Sequence, residues 1–285
     1  MLDRRAFLLS AGAALPSPGA SRKDIAAILT VYTRNSHADV IAGRLLDGYE
    51  YAGKRRTPGV RIVSMYVDQT PAGDLSRGMA AKHGVPIHKT VREALTRGGA
   101  ALSVEGVLLV GEHGDYPLNE KGQKLYPRYE LFRQIVEVFR SSGRAVPVFN
   151  DKHLSYSFEK AKWMVDTAHR LNFPLLAGSS LPVTWRLPEL ELPLDCEIES
   201  ALMVGRGSSD SMDYHALEAM QCMLERRKGG ETGVKAVQLV EGEAVWKTGE
   251  EGRWSKELLT AALSRSDTLQ GWTLIDGRTQ DLVGS

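Results

Sequence analysis

The chain has 285 residues, 42% of them hydrophobic and 25% charged, with 36 Lys and Arg against 35 Asp and Glu. That is the composition of a folded globular protein long enough for one large domain, or for a domain and a smaller partner. A formal net charge of +1 leaves no basic footprint for nucleic acid or an anionic membrane, so the expected partner is a small molecule.

The first twenty residues, MLDRRAFLLSAGAALPSPGA, place Arg4 and Arg5 ahead of a short apolar run and a small-residue, proline-bearing stretch. This resembles a twin-arginine export signal, and residues 1–21 are expected to direct the chain to the periplasm or another extracytoplasmic space. The apolar run from Ala6 to Leu15 is too short to span a bilayer, and no later segment approaches that length. In an oxidising compartment Cys196 and Cys222 could pair, and two buried thiols are the alternative.

From Ile25 onward apolar runs alternate with amphipathic segments. Ile25–Tyr32 reads as a buried strand, Ser36–Leu46 as a helix, and the polar, glycine-bearing stretch Asp47–Gly59 as a loop. Val60–Asp68 is the second strand, followed by a helix from about Gly73 to His83 that stops at Gly84. Short strand VPIHKT and helix Val91–Arg97 come next. Then follow VEGVLLVG, a helix over Arg128–Ser142, AVPVFN, a helix over Ser157–Leu171 and the strand PLLAGSS. Six strands alternating with helices predict an α/β fold, a Rossmann-like doubly wound parallel sheet over residues 22–181.

After Leu181 the pattern changes. Prolines recur at 182, 188 and 193, IESALMVG and VKAVQLVEGEAVW alternate like strands, and Asp213–Arg227 and Ser255–Leu263 read as helices. Residues 182–285 are therefore expected to form a smaller α+β C-terminal domain.

Ligands of open α/β sheets bind at the carboxyl ends of the strands. The ionisable residues at those ends are His37, Asp68, Glu112, His113, Asp115, Asp151, Lys152 and His153, with His215 from the C-terminal part. Four of the seven histidines fall in this set. Each taken alone is as well explained as a cap or a loop hydrogen bond; their concentration points to a site.

Several stretches resemble the Gfo/Idh/MocA family of sugar and polyol oxidoreductases: Asp68 ending the second strand, AAKHGVPIHKTVREAL, VEGVLLVG, and FNDKHLSYSFEKAKWMVDTAHRLNFPLLAG. The likeness runs from about Ile25 to Pro182. It implies an N-terminal Rossmann domain, an NAD or NADP cofactor held near Ser36, His37 and Asp68, and a sugar or polyol substrate. Asp151-Lys152-His153 stands where the family has Glu-Lys-Pro, so Lys152 matches its catalytic lysine, with His153 and His215 as further catalytic candidates. The departures are equally specific. The turn after the first strand reads Tyr32-Thr33-Arg34-Asn35-Ser36-His37 without a glycine, whereas close approach to a pyrophosphate needs glycines there. Ser211, not an acid, stands four residues before His215.

Two chemistries fit the strand-end residues. One is proton abstraction from a carbinol by Lys152 or His215 with hydride passing to a nicotinamide. In the other, Glu112, His113, Asp115, Asp151 and His153 hold a divalent metal (zinc, manganese or iron) in a non-redox carbohydrate enzyme such as an isomerase, lyase or hydrolase. A cleft that binds a small ligand without turnover is the third reading, and an oligomer is compatible with all three. Tyr116, Trp185 and Arg186 are the candidate substrate contacts, the aromatics against a sugar ring and the arginine against an acidic group.

Overall fold

The computed structural model describes residues 21–265 apart from 187, 206 and 208, together with residues 274, 275, 278 and 279. The expected export signal lies outside the described residues, save Ser21. The chain divides into two compact units, one ending at Ser179 and the other beginning at Ser180.

The first unit is built on six parallel strands. They are β1 (Lys23–Leu29), β4 (Val60–Val67), β5 (Ile87–His88), β6 (Gly106–Val110), β7 (Val148–Asp151) and β8 (Leu175–Gly178), in the order β5-β4-β1-β6-β7-β8. The chain runs outward from β1 in one direction, returns, and continues outward from β6 in the other. This is the doubly wound, Rossmann-like arrangement, and it opens a crevice at the carboxyl ends of β1 and β6. Helices cover both faces: α1 (His37–Asp47) and α2 (Ser76–His83) on one, α3 (Val91–Thr96), α4 (Arg128–Ser142) and α5 (Phe158–Arg170) on the other.

Burial on both sides explains why the central strands read as unbroken apolar runs. Ala27, Leu29 and Leu108 pack beneath α1 and α2 with Tyr32, Ala38 and Ala42. Ile28, Leu109, Phe132, Ile135 and Phe139 form the opposite core. The helix boundaries follow local chemistry. Ser36, Thr90 and Ser157 each accept a backbone N–H of the following turn through their hydroxyls. Gly84 and Gly143 end α2 and α4 in the left-handed region.

One expected loop is a hairpin. Residues Tyr49–Tyr51 (β2) and Lys54–Arg56 (β3) pair antiparallel across Ala52-Gly53, whose φ values of 51° and 69° match the tight turn that suits twisted strands. Every residue of both strands is exposed, so no apolar alternation announces them in the sequence.

The regular structure among the described residues of the second unit is helical apart from one short ribbon. A 3-10 turn (Leu181–Val183) leads into irregular chain, then a π turn (Ser209–Asp213) and helices α6 (Tyr214–Leu224), α7 (Glu243–Glu250) and α8 (Lys256–Leu263). Residues 274–275 and 278–279 pair as a minimal antiparallel ribbon. The strand expected at IESALMVG is irregular. VKAVQLVEGEAVW is irregular up to Gly242, with Val234, Val237 and Leu239 almost fully exposed, and helical from Glu243. The helix prevails there because it buries Trp246, which meets Trp254 edge-on, and the Trp254 indole donates to the Val245 carbonyl at 2.9 Å. Cys196 and Cys222 are free, partly buried thiols.

Among the described residues no helix is long and apolar enough to cross a membrane.

Candidate active site at the strand ends

Three loops meet at the carboxyl ends of β1, β6 and β7. Their backbones are tied together first. Leu29 and Val110 are register partners, and just beyond them the Thr30 hydroxyl donates to the Glu112 carbonyl at 2.7 Å. Beyond β7 the fully buried Asn150 turns its amide to the carbonyls of Asp151 and His153, at 3.1 and 3.3 Å. This holds a tight turn in which Lys152 takes φ 66°. His113 in the β6 loop takes the same φ. Two non-glycine residues in the left-handed region, at neighbouring strand ends, are the kind of strain that collects at working sites.

On this frame the ionisable side chains fall into three groups. In the first, His37 Nδ1 at the start of α1 lies 2.6 Å from Asp151 Oδ2 at the end of β7. The Asp151 side chain is only 7% exposed and His37 29%. An ionised carboxylate can only accept, so Nδ1 carries the proton and Nε2 is the nitrogen left to exchange one. The His113 ring stands edge-on to His37, centroids 5.1 Å apart.

Although His113 has an exposed surface, loss of hydration lowers its pKa below the ordinary 6.5. The charge of His37 adds to this, Glu112 opposes it, Lys152 lowers it further and Asp151 opposes it again. His37, Glu112, Lys152 and Asp151 therefore all lie within electrostatic reach of one imidazole. A histidine with a depressed folded-state pKa contributes stability that is fully present above 6.5 and is lost as pH falls below it. Acidification from pH 7 to 5 should thus destabilise the protein, and His113→Gln should flatten that slope. Urea midpoints measured across the interval check it; equal slopes would remove His113 from the titration.

The second group is built around Arg128, the first residue of α4, which is 1% exposed. It is ion-paired to Glu112 Oε2. Its Nη1 lies 3.1 Å from His153 Nε2, and a guanidinium N–H can only donate, so that ring nitrogen accepts. The guanidinium also sits 5.0 Å over the Tyr126 ring. Gly111 makes the room: a Cβ there would lie 2.5 Å from Arg128 Cγ.

In the third group both oxygens of Asp68, after β4, accept phenol O–H groups, from Tyr66 at 2.6 Å and Tyr116 at 2.8 Å. Burial first, then hydrogen bonding to Asp68, raises the pKa of both tyrosines, so they stay protonated donors. The neighbouring Gln69 side chain exchanges two hydrogen bonds with the Asp115 backbone, at 2.9 and 3.0 Å. The β6 loop is thereby latched to the end of β4.

Solved structures with a similar chain course include the following three. One is a Gfo/Idh/MocA family oxidoreductase from Vibrio cholerae (17% identity, covering 56% of this chain and 39% of that one, TM-score 0.37). Another is apo scyllo-inositol dehydrogenase from Lactobacillus casei (11% identity, 58% and 38%, TM-score 0.36). The third is GenD2 from gentamicin A biosynthesis in complex with NAD (19% identity, 56% and 35%, TM-score 0.36). The chain thus spans well under half the length of the proteins it is similar to. No family model matches it, and no curated protein does.

The strand ends bring His37, Glu112, His113, Asp151, Lys152 and His153 together, but not as a metal centre. Among the described residues no three His, Cys, Asp or Glu side chains converge on one point. Glu112 and His153 turn to Arg128, Asp151 turns to His37, and Asp115 engages Gln69 through its backbone. The expected metal set is corrected accordingly. Tyr116, expected to face substrate, gives its hydroxyl to Asp68 and meets Tyr126 edge-on. His215, Trp185 and Arg186 belong to the second unit. There His215 lies 3.4 Å from Glu218, Arg186 is ion-paired to Glu191, and Trp185 is 90% exposed.

The residues expected to meet a nicotinamide dinucleotide do not fit one. Between Thr30 and Ala42 there is no glycine. The amides of Thr33 and Asp39 donate to the Ser36 hydroxyl, and that of Asn35 donates to the Asp39 carboxylate. A carboxylate in the first helical turn opposes an anion at the same helix end. Tyr32, fully buried, fills the space beneath α1, its hydroxyl 3.1 Å from where a Cβ on Gly43 would stand.

Sequence reading missed Arg128, Tyr66, Gln69, Thr30 and Asn150. Only Arg128 carried a signal: a cation at a helix N-terminus is out of place unless something pairs with it.

Proposed function

We propose that the chain is an enzyme acting on a small hydroxylated molecule, a sugar or polyol, by proton transfer at the carboxyl ends of β1, β6 and β7. The observation that carries this reading is the 2.6 Å contact between His37 Nδ1 and Asp151 Oδ2. It joins the start of one helix to the end of a strand 114 residues away in sequence, as an imidazole oriented by a carboxylate requires. Such a pair takes a proton from, or returns one to, a carbon or oxygen next to a carbonyl, which is isomerase or lyase chemistry. The substrate class rests on the Gfo/Idh/MocA resemblance.

A second reading, carbinol oxidation of the Gfo/Idh/MocA kind, is favoured by Lys152, which stands at the end of β7 where the resemblance implies a catalytic lysine. One experiment serves both. The full chain is incubated in D2O with aldoses, ketoses and keto-polyols, with and without a nicotinamide dinucleotide, and C–H exchange and dinucleotide absorbance are followed. Exchange without nucleotide supports proton transfer alone, and turnover only with nucleotide supports the second reading. No exchange, turnover or binding across the panel would sink both.

We also propose twin-arginine export, on the strength of Asp3-Arg4-Arg5-Ala6-Phe7-Leu8. Cell fractionation of the Arg4→Lys, Arg5→Lys double variant tests it, and unchanged export would refute it.

A further inference from the structure

We infer that the crevice of this Rossmann-like unit is a dinucleotide-free one, in which the ribose and pyrophosphate positions are filled by the chain's own groups. Three independent features converge on it.

At the pyrophosphate position, anion binding draws on free amides at the start of the helix, a glycine-lined approach and the positive end of the helix dipole. Here the turn amides of Thr33, Asn35, Ser36 and Asp39 all donate within the turn, the last two to Thr33 O and Ser36 Oγ. Asp39 sets a negative charge within the first turn. His37, the first residue of the helix, reaches across to Asp151 and spans the mouth between β1 and β7.

At the ribose position, an acid after the second parallel strand normally receives the sugar hydroxyls. Asp68 stands there, and each of its oxygens already accepts a phenol hydroxyl. A ribose hydroxyl that took the place of the Tyr116 hydroxyl would leave a partly buried phenol without its partner.

The third feature is the latch. Gln69 holds the Asp115 backbone by two hydrogen bonds. Gly114, at φ 116°, lets Tyr116 lie against it, since a Cβ would stand 2.5 Å from Tyr116 Cε2. The β6 loop is therefore drawn down onto the end of β4, on the side of the crevice where an adenosine would extend. Away from that latch, His37 and His113 keep surface exposed to solvent at the strand ends. The ligand is then a small molecule without a nucleotide handle.

The test is a titration of the full chain with NADH and NADPH, followed by dihydronicotinamide fluorescence, and with NAD and NADP by calorimetry. No saturable binding is expected up to about 1 mM. Binding that neither Asp68→Asn nor His37→Ala changes also upholds the inference, because the ligand is then held elsewhere. Saturable binding that either variant weakens about ten-fold or more overturns it. The exchange assay without nucleotide is separate. A chain that shows no exchange and still ignores dinucleotides loses the functional reading and keeps this one.

Discussion

Replacing Arg128 by methionine is expected to destabilise the protein by about 3–5 kcal/mol, the largest loss among single substitutions at this site. Its guanidinium is 1% exposed and Glu112 only 18%, so removing the cation strands a carboxylate in a medium that solvates it poorly. Methionine fills most of the stem's volume, which leaves the charge as the principal change. The double variant Arg128→Met, Glu112→Gln should recover most of the loss. Breaking a buried pair is costly, whereas replacing both partners is often nearly neutral. Arg128→Lys should fall between, because an ammonium cannot fork to Glu112 and His153 together. Chemical denaturation of the four proteins measures this. A loss below about 1 kcal/mol for Arg128→Met would mean the pair behaves as a solvated surface bridge.

The same ion pair shows where sequence reading stops. Apolar runs and helix caps are local properties, so the six strands and their helices are legible from Ile25 to Gly178, and Arg128–Ser142 is bounded as the periodicity predicts. The strand-end charges are legible for the same reason: an apolar run that stops at Glu112 or Asp151 marks a carboxyl end. Pairing is not local. Nothing in the sequence says that Asp151 turns to His37 rather than to a metal shared with His153, or that Glu112 turns inward to Arg128. Those choices are made by sheet order, which brings β1, β6 and β7 side by side. The hairpin at 49–56 was hidden because neither strand buries a face. The helix at 243–250 was hidden because Trp246 is placed by Trp254, eight residues on. The absent glycines of the first turn were legible from the outset. Their consequence, a turn in which the amides of Thr33, Asn35, Ser36 and Asp39 and the side chain of His37 are engaged within the protein, needed the hydrogen bonds.

If the His37–Asp151 pair carries the proton, His37→Gln and Asp151→Asn should each lower the exchange rate by about 10²–10⁴-fold, the usual contribution of a positioned acid or base. Asp151→Asn replaces an acceptor-only carboxylate with a group that also donates, so the imidazole loses what fixes its tautomer while its shape is preserved. The two losses should not add. Once the carboxylate is gone the histidine is no longer oriented, and removing it too should cost little more. A double variant as slow as either single one is therefore the signature of a working pair. Losses that multiply would mean two residues acting separately. Global stability should change little with His37→Gln, since His37 is half-buried at the start of α1, so circular dichroism can confirm that a slow variant is still folded. Lys152→Ala gives the opposing test. If it abolishes turnover while His37→Gln leaves the rate within about two-fold, well short of what a positioned base contributes, the chemistry belongs to the lysine. The His37–Asp151 contact would then serve only to join α1 to the end of β7.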